Sequence, residues 1–238
     1  DGYLRQPDDI GAPGHRQLVI AATDLGRDST GRWTVVSDRA HAPSGPGYAR
    51  ATRRLISRVM AGLHRSTPLA RLRGFFQTFT ASLQDASPSP TEPPRVVLLT
   101  PGPGSETAFE QAYLATLLGF PLVEADDLVM QQGKVWLRAG DRLEQVDVLL
   151  RRVDAAYSDP LELRGDSQLG IPGLIEAARN GTVAVVNPVG AGVLENPGLV
   201  PHLPAAARAL LAEDLLLPTP ATWWCGNDTS RSHVLTNL

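Results

Sequence analysis

The chain has 238 residues, enough for one large domain or two small ones, and its 42% hydrophobic and 20% charged residues are typical of a globular protein. A formal net charge of −3 gives no reason to expect nucleic acid or an anionic membrane surface as a partner. The single cysteine, Cys225, excludes an internal disulfide framework, so we expect a reducing, cytoplasmic setting. The sequence contains no run of about 18 apolar residues, so we predict no membrane span.

Two features lead us to expect a piece of a longer protein. The opening "DGYLRQPDD" has neither a starting methionine nor the apolar stretch of a signal peptide. Lys134 is the only lysine, and it lies beside a predicted turn where we expect it to be solvated. Chemistry that needs a pair of lysines to grip nucleotide phosphates therefore cannot be complete within this chain.

The first 86 residues predict a small lobe made of a β-hairpin followed by helices. Residues 18–36 contain an apolar strand, a run of turn residues and a return strand. Residues 49–84 have apolar residues at helical spacing, and Pro68 is the expected start of a second helix. The proline-rich stretch at 87–94 then predicts a linker.

Strands and helices alternate after the linker, which predicts a Rossmann-like open sheet domain over residues 95–225. The runs "RVVLLT", "QVDVLLRRVD" and "TVAVVNPVG" have the composition of buried parallel strands. A helix with a capping box from Thr107 to Glu110 is expected after the first of them. "PTPATWWC" predicts a final strand or an extended segment. The predicted fold class is α/β, with a small hairpin-plus-helices lobe before the open sheet.

Polar loops follow the three predicted parallel strands, and ligands of open α/β sheets gather at these carboxyl ends. The first loop, "TPGPGSE", has glycines that let backbone N–H groups approach an anion, but its spacing departs from the dinucleotide fingerprint. The second loop offers two arginines for carboxylate or phosphate oxygens, or for a structural ion pair with the following aspartate. The third is a glycine-rich turn.

The hairpin carries a second candidate site. Asp24 and Asp38 end its two strands, and we expect them to lie in register and to face one cleft shared with the later sheet. Carboxylates placed in this way are hard ligands that suit Mg²⁺, which usually arrives with substrate phosphates. Arg53, beyond the Pro-Ser-Gly turn, is suited to neutralise phosphoryl charge. Solvated turn acids are the alternative interpretation of the same residues.

The stretch "DLGRDSTGRWTVVSDRAHAPSGPGYARATRR" resembles a pattern of circularly permuted ATP-grasp proteins, D-x-x-R-D-x-x-G-x-W-x-V-L-x-D-N-x-R-x-P-S-G-x-x-Y-x-x-x-x-R. The resemblance continues in order to "LPTPATWWCG", and the type 2 branch, similar to glutathionylspermidine synthase and carboxylate–amine ligases, fits best. It implies a bacterial, ATP- and Mg²⁺-dependent enzyme that phosphorylates a small-molecule carboxylate. An amine then attacks the acylphosphate, which forms an amide.

The resemblance also implies roles for individual residues. Asp24 and Asp38 match the metal-side positions, and Asp38 and Arg53 are the implied catalytic residues. Ser44, Gly45 and Tyr48 match the P-S-G-x-x-Y turn of the nucleotide site. The implied substrate-binding residues are Thr100, Gly102, Arg151, Arg152, Asp154, Asp166 and Asn187.

Departures from the family pattern leave three functions open. Many relatives have Glu-Asp-Asn where this chain has Ser37-Asp38-Arg39, and Ala51-Thr52 replaces a Glu-Asn pair. Residues 226–238 are expected to lead into a nucleotide lobe that carries the missing lysine. The chain is therefore an incomplete ligase, an inactive relative that acts as a binding or scaffolding module, or a small-ligand Rossmann-like domain. The last is suggested only by "TPGPGSE", and the oligomeric state is not predicted.

Overall fold

The computed structural model describes residues 3–8, 10, 18–89 and 93–237. Its first part is an antiparallel ribbon of β1 (Ala22–Arg27) and β2 (Trp33–Arg39). The ribbon begins later than the predicted hairpin and continues to Arg39. Three helices follow the ribbon: α1 (Pro46–Val59), α2 (Ala61–Ser66) and α3 (Arg73–Asp85).

Two further sheets form the second part. The strands in chain order are β3 (Val96–Leu99), β4 (Leu122–Val123), β5 (Leu128–Gln131), β6 (Lys134–Ala139), β7 (Arg142–Gln145), β8 (Val148–Arg151) and β9 (Ala184–Val186). Strands β4, β3, β8 and β9 make a parallel sheet in that order, while β5, β6 and β7 make a small antiparallel sheet. The three apolar runs that predicted parallel strands are confirmed as β3, β8 and β9.

Short helices connect these strands and follow them. The α-helices are α4 (Ala108–Leu118), α5 (Leu174–Arg179), α6 (Leu203–Leu211) and α7 (Asp228–Thr236). Short 3-10 helices cover Ala125–Asp127, Ala155–Tyr157, Val189–Glu195 and Pro197–His202. The predicted α/β fold class is confirmed. None of the described helices is both long and apolar enough to cross a membrane.

The parallel sheet is covered on both faces, which is why its strands are continuously apolar. On one face, Leu98 and Leu150 pack in a cluster with Leu83 of α3 and Leu114 of α4. On the other face, α5 and the small antiparallel sheet contribute a second cluster. Because neighbouring residues of a strand point to opposite faces, β3 supplies side chains to both clusters.

Local patterns failed at two points, Pro68 and the capping box of α4. Pro68 lies in irregular chain before α3, not at a helix start. "PTPATWWC" contains no strand, which leaves the extended segment of the two alternatives. Thr107 is the N-cap of α4, but its side chain makes no capping hydrogen bond, and Glu110 is turned toward α1 instead. The helical spacing of five apolar residues did predict helix correctly, although their side chains are exposed: Leu55, Ile56, Val59, Met60 and Leu63.

The domain limits at 1–86, 87–94, 95–225 and 226–238 stay predictions, and residues 90–92 of the linker lie outside the described residues. The described parts on either side of it are nevertheless packed together. Ile20 and Phe79, from the first part, belong to the same buried cluster as the strands of the parallel sheet.

Candidate functional site

The ribbon places its two aspartates on opposite faces. Asp24 is opposite Ser37, and Asp38 is opposite Thr23, with an irregularity in the register just after Asp24. Side chains of directly opposed residues share a face, and adjacent positions on a strand alternate between faces. The expectation that Asp24 and Asp38 lie in register and face one cleft is therefore wrong.

Asp24 is neutralised on its own face of the ribbon. Its Oδ2 atom accepts a hydrogen bond from the Ser37 hydroxyl at 2.8 Å and an ion-paired bond from Arg39 Nη2 at 2.9 Å. The Ser37 hydrogen bond, followed by that of Arg39, holds the pKa of the Asp24 carboxyl below its ordinary value. All three side chains are on one face because positions 37 and 39 are two apart on β2.

Asp38 lies on the other face of the ribbon. Its Oδ1 atom accepts a hydrogen bond from the Thr23 hydroxyl at 2.7 Å. Asp38 and Ser37 line a small cavity of about 90 Å³ together with residues of the 3-10 helices after β9, including Glu195. The later residues that line this cavity follow the parallel sheet and belong to none of its strands, so the cavity is not the expected cleft shared with that sheet.

Mg²⁺ does not fit the Asp24 face as this chain builds it. Magnesium takes oxygen ligands in octahedral geometry, and here a guanidinium already balances the one carboxylate. Over the described stretches of the chain, no group of three or more His, Cys, Asp or Glu side chains is arranged to hold a metal ion. The metal site that the resemblance implied for Asp24 and Asp38 is not formed by these two side chains.

The Pro-Ser-Gly turn is anchored by a buried carboxylate that the sequence did not reveal. Glu110 of α4 accepts hydrogen bonds from the backbone N–H groups of Gly45 at 2.6 Å and Gly47 at 2.9 Å. Gly45 has φ of +132°, a conformation that favours glycine. Ser44 is half-buried, and Tyr48 stacks on Phe109 with 5.8 Å between ring centroids.

The two arginines at the end of β8 hold this same segment. Arg151, which is fully buried, donates from Nη2 to the carbonyl oxygen of His41 at 2.8 Å. Arg152 donates from Nη1 to the carbonyl oxygen of Pro43 at 2.8 Å. Burial lowers the pKa of Arg151 to about 10. The Nη donors in these two bonds, predicted to clamp substrate oxygens, bind the chain's own backbone, while the buried Nε atoms of both arginines have no hydrogen-bond partner among the described residues.

His41 is a second contact that sequence reasoning missed. Its Nε2 atom accepts a hydrogen bond from the Ala155 backbone N–H at 3.0 Å and lies 3.5 Å from Asp154 Oδ2. Burial, and then the charge of Arg151, lower the pKa of the imidazole, while the charges of Asp154 and Glu195 act in the other direction. Asp154 also caps the 3-10 helix at Ala155–Tyr157, which is a structural role.

Asn187 fastens the base of the ribbon to the end of β9. Its Nδ2 atom donates to the carbonyl oxygens of Ile20 and Ala40, both at 2.6 Å. Its Oδ1 atom accepts from the N–H groups of Val19 and Ile20 at 3.0 and 3.3 Å. The buried amide is thus fully used within the chain and is not directed at a ligand, contrary to its predicted role.

Glu195 completes this attachment. Its Oε1 atom accepts from the N–H groups of Ala40 and His41, at 2.7 and 2.5 Å. The backbone between positions 40 and 47 is therefore held at the carboxyl ends of the parallel strands. We call it the docked segment (residues 40–47), and it is hydrogen-bonded to residues at the edge of the sheet where a ligand was expected.

The first strand-end loop is closed by its own side chains. The Thr100 hydroxyl bonds to Gln111 and accepts from the Gly102 N–H at 3.0 Å. Gly102 has φ of +93°, and a Cβ atom there would lie 3.0 Å from Glu124 Oε2. Asp166 lies apart from all of these residues, exposed and ion-paired with Arg164 at 2.6 Å.

Arg53 lies away from the ribbon acids, in a groove between α1 and α3. Its Nη1 atom donates to the carbonyl oxygen of Ala70. The groove has a volume of about 860 Å³ and is lined by four further arginines. The structure therefore separates the residues implied as catalytic: Asp38 is at the cavity beside Glu195, and Arg53 is in the arginine-lined groove.

Comparisons with known proteins cover the whole chain. A family model described as circularly permuted ATP-grasp type 2 matches residues 1–238. An uncharacterized protein of Mycobacterium tuberculosis is 49% identical over 237 residues, which are 100% of this chain and 27% of the relative. An uncharacterized protein of Synechocystis is 34% identical over 237 residues, 100% of this chain and 49% of the relative. One of Mycobacterium leprae is 33% identical over 236 residues, 99% of this chain and 42% of the relative.

The chain spans between 27% and 49% of the length of these relatives. ATP-grasp families generally use ATP and Mg²⁺, and the match indicates ATP-dependent chemistry of the ligase type at the level of the family. The relatives are themselves uncharacterized, so none of them assigns a reaction. Because the match extends from the first residue to the last, the chain belongs to the circularly permuted ATP-grasp type 2 family.

Proposed function

We propose that this part of the protein is a non-catalytic ATP-grasp unit, which keeps the fold of the family and acts as a binding module. The observation that carries the proposal is the ion pair between Arg39 and Asp24, with 2.9 Å between Nη2 and Oδ2. It puts a fixed positive charge on the face of the ribbon where the resemblance implies a divalent cation.

The geometry of the ribbon explains why positions 37 and 39 matter. Both lie on the Asp24 face, so relatives with glutamate and asparagine at these positions would bring three oxygen-bearing side chains together. This chain keeps only the Asp24 carboxylate and the Ser37 hydroxyl there. The Arg39 guanidinium stays charged at any physiological pH and repels a second cation at short range.

The strand ends of the parallel sheet support the same proposal. Arg151 Nη2, Arg152 Nη1 and Asn187 Nδ2 each donate to a backbone carbonyl oxygen of the docked segment, so these three atoms are engaged within the chain. A fully buried arginine that hydrogen-bonds its own backbone acts as a support of the fold. The alternative of a small-ligand Rossmann-like domain loses its motivation, because the loop after β3 bonds to itself.

A second candidate is the carboxylate–amine ligase, and the full-length family match favours it. In this case the longer protein joins a small-molecule carboxylate to an amine through an acylphosphate, with ATP and Mg²⁺. Another part of the protein would then supply the lysines and the metal ligands. Asp38, Ser44, Gly45, Tyr48 and Arg53 would be this chain's contribution.

One experiment separates the two candidates. The full-length protein is mixed with Mg²⁺, ATP and pools of amino acids, polyamines and small carboxylic acids, and phosphate release is followed over time. An active ATP-grasp ligase with its own substrates serves as the control for the assay. We expect no release above the ATP-only background and no thermal shift with Mg-ATP. Release that depends on both an acid and an amine would overturn the non-catalytic proposal and establish the ligase.

A further inference from the structure

Five arginines line the groove between α1 and α3. They are Arg50, Arg53, Arg54, Arg71 and Arg73. None of the described residues that line the groove is an aspartate or a glutamate. The whole chain has a net charge of −3, so this accumulation of positive charge is a local feature and does not reflect overall composition.

The sequence of α1 brings its arginines to one face. Arg50, Arg53, Arg54 and Ser57 are spaced at i, i+3, i+4 and i+7, which is one stripe along a helix. All four residues line the groove. The remaining arginines come from the irregular stretch before α3 and from its first residue, so two separate elements direct guanidinium groups into the same space.

Most of this charge has no partner among the residues that the structure describes. Arg53 donates to a backbone carbonyl, which leaves its positive charge uncompensated. The side chains of the other four make no ion pair or hydrogen bond with any residue that the structure describes. Arginine cannot lose its proton to relieve the repulsion, so an anion in the groove would be stabilised by every one of them.

The amino terminus of α3 adds to the attraction. This 13-residue helix begins with Leu72 as N-cap, no side chain caps it, and its first turn contains no acidic residue. Leu72 and Arg73 line the groove, so the positive end of the helix and its unpaired N–H groups lie at the groove wall. Such helix ends bind phosphate and carboxylate groups.

We propose that this groove binds a small, multiply charged anion that carries two or more phosphate or carboxylate groups. Guanidinium groups bind both kinds of oxygen in bidentate fashion. Leu69, Phe76 and Leu117 give part of the wall an apolar character, which suits an attached hydrocarbon portion. The inference goes beyond the proposed function, because it uses neither the ribbon nor a metal ion and does not depend on whether the protein is catalytic.

The test is isothermal titration of the full-length protein with sodium tripolyphosphate and, separately, with sodium citrate. The two arms distinguish a phosphate from a carboxylate ligand. We expect saturable binding of at least one probe that weakens as salt is raised. The double variant R54A/R71A, which removes two exposed guanidinium groups from the groove, should weaken it by at least about tenfold.

The matched control is R58A/R65A, which removes the same charge from α1 and α2 at positions outside the groove. It should change the affinity by less than about twofold. Thermal unfolding of both variants checks that each is folded. Failure of both probes to bind the wild-type protein would overturn the proposal, and so would an equal loss of affinity in the two double variants.

Discussion

Positions 37 and 39 lie on β2, on the face that Asp24 shares, and together they set the charge of that face. Here the Ser37 hydroxyl and the Arg39 guanidinium already donate hydrogen bonds to the Asp24 carboxylate, so the face needs no bound cation to balance its charge. The change from an oxygen-rich face to an ion pair needs no alteration of the backbone. It should therefore be reversible by substitution alone.

We predict that the double variant S37E/R39N creates a divalent cation site. The introduced carboxylate and amide would join Asp24 on one face, which then carries three oxygen-bearing side chains. Mn²⁺, a paramagnetic substitute for Mg²⁺, should bind the variant with one-to-one stoichiometry by electron paramagnetic resonance, while the wild-type chain should not bind it.

Adding Asp24→Asn to that variant supplies the control, since it removes the only native carboxylate on this face. Binding should then be lost. Equal Mn²⁺ binding by the wild type and by S37E/R39N would contradict the charge argument.

His41 predicts a pH dependence of stability. Burial and Arg151 lower its pKa below the ordinary value of 6.5, so the folded protein holds the imidazole neutral. When the pH falls below about 6.5, the His41 imidazole takes up a proton in the unfolded chain but stays neutral in the folded chain. The free energy of unfolding therefore decreases. The stability is fully present above that pH and declines toward the lower folded pKa.

The measurement compares urea unfolding of the wild type and of His41→Gln at several pH values between about 5 and 8. Below about pH 6.5 the wild type should lose free energy of unfolding more steeply than the variant, by up to about 1.4 kcal/mol per pH unit. Above about pH 7.5 the two should differ by a constant. Parallel curves over the whole range would show that His41 does not titrate in the expected way.

At the scale of elements, the beginning of α1 is fixed by its contact with α4. A Cβ atom at Gly47 would lie 2.6 Å from Glu110 Cγ, which real contacts do not allow. The buried Glu110 carboxylate accepts from two N–H groups at the helix start, so it cannot move aside without losing them. We predict that Gly47→Ala destabilises the fold by about 2 kcal/mol.

Gly62→Ala, in α2, is the control, because a Cβ atom there has nothing within 4 Å. Alanine favours a helix over glycine, so this variant should be neutral or more stable by up to about 1 kcal/mol. Thermal or urea unfolding gives both values. Equal effects of the two substitutions would mean that the Gly47 contact does not constrain the helix.

How far the sequence predicts the structure depends on the range of the contacts. The strands β3, β8 and β9 were predictable because each is a short apolar run, and burial on both faces follows from that pattern. Glu110 was predicted to cap its own helix, and instead it binds residues 63 and 65 positions away. No local pattern signals such a choice, because the capping position and the long-range contact require the same residue type.

The candidate site was predicted less well for the same reason. Asn187, Arg151 and Arg152 were correctly placed at the strand ends, but they bind backbone groups of the docked segment and the ribbon base that are between 109 and 168 positions away. The faces of Asp24 and Asp38 depend on the register of the ribbon, which is irregular beside Asp24. His41 and Glu195 were missed altogether, since their roles arise only once the ribbon is docked on the sheet.

At the scale of the molecule, the two parts on either side of the predicted linker share a core and a set of buried hydrogen bonds. We predict that they stay together when the chain is cut. A protease site introduced at 87–94 should give, after cleavage, two fragments that elute as one species in gel filtration. Contacts of this kind resemble those inside a domain more than those between loosely linked domains.

The control is the same cleavage of an Asn187→Ala variant, which loses the bonds to Ile20 and Ala40. Its fragments should separate more readily on dilution. Wild-type fragments that separate at micromolar concentration would show that the shared core contributes little to the association.

The docked segment has a practical consequence for anyone who searches for a ligand of this protein. A compound aimed at the strand ends must displace a peptide that is covalently tethered beside its own binding groups. Such a tethered competitor acts at an effective concentration of about millimolar or higher, whatever the dose of the compound. Screens directed at that edge should therefore return weak hits, and the helical side of the molecule is the better target.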